Sequence, residues 1–292
     1  MLQSIHGPTH FRALLECGGL IIAPGVSDGL SARIAELAGF DVLYVSGGAI
    51  ARGMGYADIG LVTQTEMVKR LEEIHAVTPV PLIVDADTGY GNALNVIRTV
   101  RAYERAGAAA LHLEDQVEPK RCGHYEGKQI IKAHEMVQKI RAAIAARENP
   151  DFLLIARTDA RAVAGLEEAI ARGNAYAEAG ADVIFVEAPQ SLEEIERIAH
   201  AVRAPLLINM FWGGKTPLLP PAQLAELGYR IMIVPSDLQR AAIRAMQRAA
   251  AVLRQQGNTA SIADEIASFA EREQVIGLAE VEELQRRFLS ER

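Results

Sequence analysis

The sequence predicts a (β/α)8 barrel. Three observations carry this: eight short apolar runs, alanine-rich helical stretches between them, and glycine at several of the joins. Each run is rich in Val, Ile and Leu without alternation, which marks a strand buried on both faces of a parallel sheet. Leu20–Pro24 (LIIAP) opens the series. The turn after it, Pro24-Gly25-Val26-Ser27-Asp28-Gly29, lacks the glycine-rich phosphate fingerprint expected of an open doubly wound sheet. Asp41–Gly47 (DVLYVSG) follows Ala38-Gly39-Phe40, and Pro81–Asp87 (PLIVDAD) is the third run. The amphipathic stretch Val96–Ala106 leads through Ala106-Gly107-Ala108 into Ala109–Asp115 (AALHLED). Phe152–Asp159 (FLLIARTD) precedes the helical Leu166–Ala179, and Ala179-Gly180-Ala181 leads into Val183–Ala188 (VIFVEA). Pro205–Met210 (PLLINM) and Arg230–Pro235 (RIMIVP) complete the set. Glycine at such joins fits a helix C-cap.

Beyond Pro235 the pattern is helical at Gln239–Gln256, Ser261–Arg272 and Leu278–Leu289. One helix closes the barrel, and surplus apolar helices usually pack on a neighbouring subunit. The expectation is one domain over 1–292, with a barrel to about 255 and a helical extension over about 256–292, assembled as a homotetramer.

Composition excludes several function classes. Thirty Lys and Arg against 37 Asp and Glu give a net charge of −7, unsuited to general nucleic-acid binding through phosphate neutralisation. No apolar run approaches the roughly 20 residues that span a bilayer, so no membrane partner is expected. The opening MLQSIHGPTHFRALLE lacks the basic-then-apolar order of a secretory leader. Two cysteines, Cys17 and Cys122, exclude a disulfide framework and point to a reducing cytoplasm.

In a barrel the active site lies at the C-terminal ends of the strands. Here those ends read Ser46-Gly47-Gly48, Asp85-Ala86-Asp87, Glu114-Asp115, Arg157-Thr158-Asp159, Glu187 and Asn209. Buried charge is costly unless used, so this convergence predicts a catalytic cavity. Asp85 and Asp87 are two apart and would point the same way along a strand, with Glu114 and Asp58 in reach. Four carboxylates in one cavity need a cation, protons or partner Lys and Arg residues. An all-oxygen donor set favours a hard cation, and Mg²⁺ suits it. Cys122 lies in Pro119-Lys120-Arg121-Cys122-Gly123-His124, whose cations predict a reactive thiolate, whereas Cys17 reads as inert. The polar segment Gln116–Gln129 has the length of a lid over a substrate.

Taken together, these segments resemble the isocitrate lyase/phosphoenolpyruvate mutase superfamily, and within it the short-chain 2-methylisocitrate lyases. The most specific match is Lys120-Arg121-Cys122-Gly123-His124, joined by Asp85-Ala86-Asp87-Thr88-Gly89-Tyr90-Gly91 and Ala156-Arg157-Thr158-Asp159-Ala160. The resemblance implies that Asp85 holds Mg²⁺, with Asp58, Asp87 and Glu114 acting directly or through water. It implies a carboxylate cradle at Ser46, Gly47 and Gly48, and substrate contacts from Gly123, Asn209, Met210 and Phe211. Arg157, Glu187 and His124 would be catalytic beside Cys122, the general acid that protonates a departing carbanion. Arg240 and Arg272 fall where arginines help to hold a tricarboxylate. The implied reaction is a retro-aldol (reverse Claisen-type) cleavage of a small carboxylate substrate, for which Tyr44, His112, Glu187 and a metal-bound water remain open as base. One departure stands out: Phe211-Trp212 occupies the place near which 2-methylisocitrate lyases carry Thr-Glu, and Gly213-Gly214-Lys215-Thr216-Pro217 looks more like relatives that cleave alkylated malates. The expected substrate is 2-methylisocitrate, cleaved to pyruvate and succinate. A 2,3-dimethylmalate-type lyase, an oxaloacetate decarboxylase and a silent dicarboxylate binder are the alternatives.

Overall fold

The computed structural model describes residues 7–289. The first residues of the opening segment and both ends of the expected 1–292 domain lie outside them. Eight parallel strands close a barrel in chain order: β1 (Ile21–Val26), β2 (Leu43–Val45), β3 (Leu82–Asp85), β4 (Ala110–Glu114), β5 (Leu153–Thr158), β6 (Val183–Val186), β7 (Leu206–Asn209) and β8 (Tyr229–Val234). β8 returns beside β1, with Ile21 opposite Ile231. Most strands are shorter than the apolar runs that predict them, because the polar tails of the runs are loops.

Alternation along each strand divides the apolar residues into two layers. Ile83, Ile155, Phe185, Leu207 and Ile231 fill the barrel, and Phe11 and Leu15 of the Gly7–Cys17 helix pack among them. Leu82, Val84, Leu111, Leu154, Ile184 and Ile208 point outward under the helices. Burying each large side chain stabilises the fold by about 1.5–3 kcal/mol. The helices follow the same rule: in Ala93–Arg105, Val96, Val100 and Tyr103 share the buried face, and Asn92 caps the first turn. Two residues beyond an inward apolar residue, the same face carries Asp85, Arg157, Glu187 and Asn209. The strand period thus stacks the polar site directly on the apolar floor.

The C-terminal segment departs from expectation. Asp237–Gln256 is one long helix, but the predicted Ser261–Arg272 helix is split. A 3₁₀ turn covers Ala260–Glu265, and a new helix, Phe269–Ile276, begins at a capping box in which Ser268 and Glu271 satisfy each other's backbone N–H groups. Leu278–Leu289 then follows, with none of its residues buried in this chain. No described helix is long and apolar enough to cross a membrane.

Candidate active site

A cavity of about 310 Å³ opens at the C-terminal ends of the strands. Of the residues singled out from sequence, Ser46, Gly48, Asp58, Asp85, Cys122, Gly123, His124, Arg157, Glu187, Asn209, Phe211 and Arg240 line it. Gly47 stands behind the wall, its N–H donating to Asp85 Oδ2 at 3.2 Å. A Cβ at Gly47 would lie 2.7 Å from that oxygen, and one at Gly48 2.6 Å from Asp58 Oδ2. Glycine is required at both because carboxylates press on the backbone there.

The lid lies over this wall. A Cβ at Gly123 would come within 2.5 Å of Arg157 Nη2 and 2.7 Å of Glu187, so only glycine lets the loop approach so closely. Lys128, buried, donates to the Gly123 carbonyl and to Asp159 Oδ1 at 2.7 Å. Asp159 in turn grips Arg157 through Nε at 2.9 Å and Nη2 at 3.1 Å. The Gln116 amide pairs with the Arg121 backbone, accepting its N–H at 3.0 Å and donating to its carbonyl at 2.8 Å. The Lys215 N–H donates to His124 Nδ1 at 3.0 Å, which leaves Nε2 to carry the ring proton. That nitrogen lies 3.1 Å from Glu187 Oε1, and the ring meets Phe211 edge-on at 4.6 Å.

Arg157 is the hub of the charges, 3.1 Å from Glu114, 3.5 Å from Glu187 and 2.9 Å from Asp159. Burial works against ionisation of Glu187, but the Arg157 cation, with His124 and Lys128, holds it below the usual carboxylate range. Burial dominates at Glu114 and raises its pKa well above that range, and Glu114 Oε1 has no partner among the described residues. Tyr44 Oη sits 2.7 Å from His112 Nε2 and 3.4 Å from Asp85 Oδ2. Burial lowers His112 to about 4, so it is neutral at pH 7, and burial raises Tyr44 well above its ordinary value.

Several expectations require correction. The four carboxylates do not form a cation site: among the described residues no group of three His, Cys, Asp or Glu is placed to hold a metal, and all four bear instead on the Lys120 ammonium. Lys120 explains this, with its ammonium 2.6 Å from Asp58 and 2.9 Å from Asp87. Pairing with Lys and Arg neutralises most of the acids. Asp87 does not continue the strand, since β3 ends at Asp85 and Asp87 turns to φ 46°. It faces a neighbouring pocket beside Lys120, and burial raises it to about 6. Glu114 lies behind Arg157 rather than on the cavity wall. Met210, one residue past inward-facing Asn209, points outward into the helix-facing core. Arg272 is on the Phe269–Ile276 helix, paired with Glu273 and stacked over Phe269 at 4.4 Å, away from the cavity. Trp212 is 70 % exposed and also off the cavity wall.

The thiol correction matters most for chemistry. With Lys120 turned to Asp58 and Asp87, burial and the charges of Asp58 and Glu187 raise the Cys122 pKa instead of lowering it. The thiol is therefore protonated at neutral pH. Iodoacetamide at pH 8 should modify exposed Cys17 well before Cys122, read by peptide mass spectrometry. Faster labelling of Cys122 would show a thiolate.

The acids leave one arrangement that suits a hard cation. Asp85 lines the cavity, and although burial opposes its ionisation, His112 at 3.4 Å together with Lys120 and Arg157 holds it below the ordinary carboxylate value. Mg²⁺ commonly binds through one or two carboxylates and keeps several waters, so ionised Asp85, in the cavity that Asp58 also lines, fits such an ion held mainly through one carboxylate.

Comparison with known proteins agrees with this architecture. The family model described as phosphoenolpyruvate phosphomutase matches residues 11–254. The chain belongs to the PEP mutase/isocitrate lyase superfamily. A 2,3-dimethylmalate lyase of Eubacterium barkeri is 45 % identical over 282 residues, 96 % of this chain and 98 % of that one. A 2-methylisocitrate lyase of Aeropyrum pernix is 46 % identical over 271 residues, 93 % and 87 % of the two chains. A crystal structure of 2,3-dimethylmalate lyase superposes with a TM-score of 0.92 at 40 % identity, covering 97 % of this chain and 95 % of that one. Phosphonopyruvate hydrolase in complex with oxalate and Mg²⁺ superposes with a TM-score of 0.89 at 31 % identity, covering 98 % and 100 %.

Lys120, Lys128, Arg52, Ser236 and Gln239 complete the surroundings without having been singled out from sequence as site residues. Lys120 was visible in the signature loop, but its partners come from two other loops.

Proposed function

We propose that the protein is a carbon–carbon lyase that cleaves a 2-hydroxydicarboxylate of the alkylated-malate class into a 2-oxo acid and a shorter carboxylic acid. The observation that carries this is the Cys122 thiol lining one cavity with Arg157, Glu187 and His124, where burial raises its pKa and keeps the proton on sulfur. In the cleavage, the substrate hydroxyl gives its proton to water in the cavity, C2 becomes the 2-oxo carbon as the C2–C3 bond breaks, and the electron pair of that bond is left on C3. The Cys122 S–H gives its proton to that carbon, and the thiolate is reprotonated from water before the next turnover. Arg157 faces the carboxylate charge that grows in this step. Asp85, in the cavity that Asp58 also lines, would hold Mg²⁺. Such an ion would supply positive charge and ease loss of the hydroxyl proton, and the Mg²⁺ complex of phosphonopyruvate hydrolase supports its inclusion.

The alkylated-malate class is favoured over a tricarboxylate by the cationic groups at hand. Of the two arginines expected to hold a third carboxylate, Arg272 is off the cavity, and Arg240 donates to the Trp212 carbonyl while lying 3.4 Å from Asp237. Phe211, Ile233 and Ile243 instead offer apolar wall for alkyl groups. Cleavage of 2-methylisocitrate is the second reading, favoured by the position of Arg240 on the cavity wall. The apolar C-terminal faces, including Phe269 and Phe288, support assembly with further copies of this chain.

Parallel assays of 2,3-dimethylmalate, 2-methylisocitrate and oxaloacetate, read as pyruvate release, test the assignment. The dimethylmalate should lead by at least about tenfold in kcat/KM, some 1.4 kcal/mol of transition-state binding, and EDTA should abolish turnover. A tenfold lead for 2-methylisocitrate would restore the tricarboxylate. Turnover unchanged in EDTA would remove the metal. No cleavage of any candidate, with oxalate still bound, would make the protein a silent binder.

A further inference from the structure

Two buried ammonium groups hold the lid on either side of Cys122. Lys120, two residues before the thiol, reaches Asp58 and Asp87. Lys128, six residues after Cys122, reaches the end of β5, where it bridges the Gly123 carbonyl and Asp159 Oδ1. The Cys122 N–H donates to the Asp58 carbonyl at 3.2 Å, and the Cys122 carbonyl accepts from the Tyr125 N–H at 2.8 Å. Residues 122–125 therefore form a tight turn with Gly123 inside it. The carbonyl that Lys128 holds belongs to the turn that carries the thiol.

An ammonium has three donors and no acceptor, which suits one carbonyl on the lid and one carboxylate on the barrel. The other ties near this turn are of a different kind. The Gln116 amide pairs with the Arg121 backbone within the lid itself. Glu126 pairs with Lys215, but its side chain is 90 % exposed, and an ion pair in water holds little. Losing Lys128 would not strand a buried charge, because Asp159 keeps Arg157 Nε at 2.9 Å and Nη2 at 3.1 Å. What would be lost is the bond between the 122–125 turn and the barrel.

We infer that Lys128 is a positioning residue, which through Gly123 and Asp159 sets the Cys122 thiol against the cavity. This deepens the lyase reading and rests on it for the use made of the thiol proton.

The full chain loaded with Mg²⁺ tests this. Lys128→Met should lower kcat by about tenfold to a hundredfold on whichever candidate the wild type cleaves best, as expected for a misplaced reacting group. Oxalate affinity should stay within about threefold of the wild type, which also shows that the variant is folded. Iodoacetamide should label Cys122 at least about tenfold faster in the variant, because the freed turn gives up its burial. Cys17 in the same molecule is the unchanged reference. In a Cys122→Ser background, Lys128→Met should lower kcat by at most about twofold more, since a residue acting through the thiol has nothing left to position. Glu126→Gln should change none of these readouts. Unchanged Cys122 labelling, an unchanged kcat, or an undiminished effect in the Cys122→Ser background would overturn the proposal. So would equal effects from Glu126→Gln, or loss of oxalate binding, which would make Lys128 a support of the whole cavity. If labelling speeds up but the wild type releases no 2-oxo acid from any candidate, the lid assignment stands and the lyase reading fails.

Discussion

Replacing Cys122 by serine is expected to lower kcat by about 10²–10⁴-fold with a small change in KM, the range that a positioned general acid contributes. The serine hydroxyl occupies nearly the same space, so the lid should still close through Lys128 and Gln116. It is, however, a far weaker acid than the thiol. Burial and the nearby Asp58 and Glu187 charges keep that thiol protonated, and hence able to deliver a proton, at neutral pH. The sign of the pH dependence follows. A thiol raised above its ordinary value loses its proton only in the alkaline range, so the Cys122-dependent part of kcat should persist through pH 8. It should fall only as the pH passes the raised value. Single-turnover rates across pH 6–10 for the wild type and Cys122→Ser would check this. A serine variant with undiminished kcat would show that the proton comes from another group, and a wild-type profile falling between pH 7 and 8 would show a thiolate. Cys17→Ser, at an exposed helix end, should be silent in the same assays.

Much of this fold is legible in the sequence because parallel strands buried on both faces announce themselves as apolar runs. The ends of the runs are less legible, since a polar residue after an apolar run reads the same in a strand and in the loop that follows. Asp85 and Asp87 show the difference: the first continues the inward face of β3, whereas the second sits in a turn with positive φ. Met210 was readable in principle, because its neighbour Asn209 faces inward and alternation sends the next residue out. Lys120 departs from expectation for a different reason. Proximity in sequence placed its charge beside Cys122, but a lysine side chain is long, and its ammonium reaches Asp58 and Asp87 instead. Gln239 was invisible as a site residue because nothing local distinguishes a glutamine in a helical first turn. Only the approach of the Ala49 carbonyl, distant in sequence, fixes how its amide is held beside the cavity.

Arg157→Leu is expected to have the largest effect on stability, a loss of about 3–5 kcal/mol, because it removes the guanidinium that offsets buried Glu187 and shares Asp159 with Lys128. Glu114, Asp159 and Glu187 all lie within 3.5 Å of the guanidinium in the native protein. The pH dependence gives this loss a signature that a simple packing defect lacks. In the wild type, burial is outweighed at Glu187 by the Arg157 charge and the carboxyl is held low. Such a group contributes stability that is present above the unfolded value, near 4.3, and is lost as pH falls through the lower folded one. Without Arg157, burial dominates and the folded pKa rises above the unfolded value. The folded state then binds a proton that the unfolded state has released, so stability falls as pH rises above about 4. The gap between wild type and variant should therefore widen from pH 5 to pH 8 in urea denaturation. Arg157→Lys should recover part of the loss, since it restores charge but not the two-pronged grip on Asp159. Arg272→Leu, removing an exposed pair with Glu273, should cost at most about 1 kcal/mol with little pH dependence. A deficit of equal size at pH 5 and pH 8 for Arg157→Leu would show that lost packing, rather than uncompensated carboxylate charge, is what the substitution exposes.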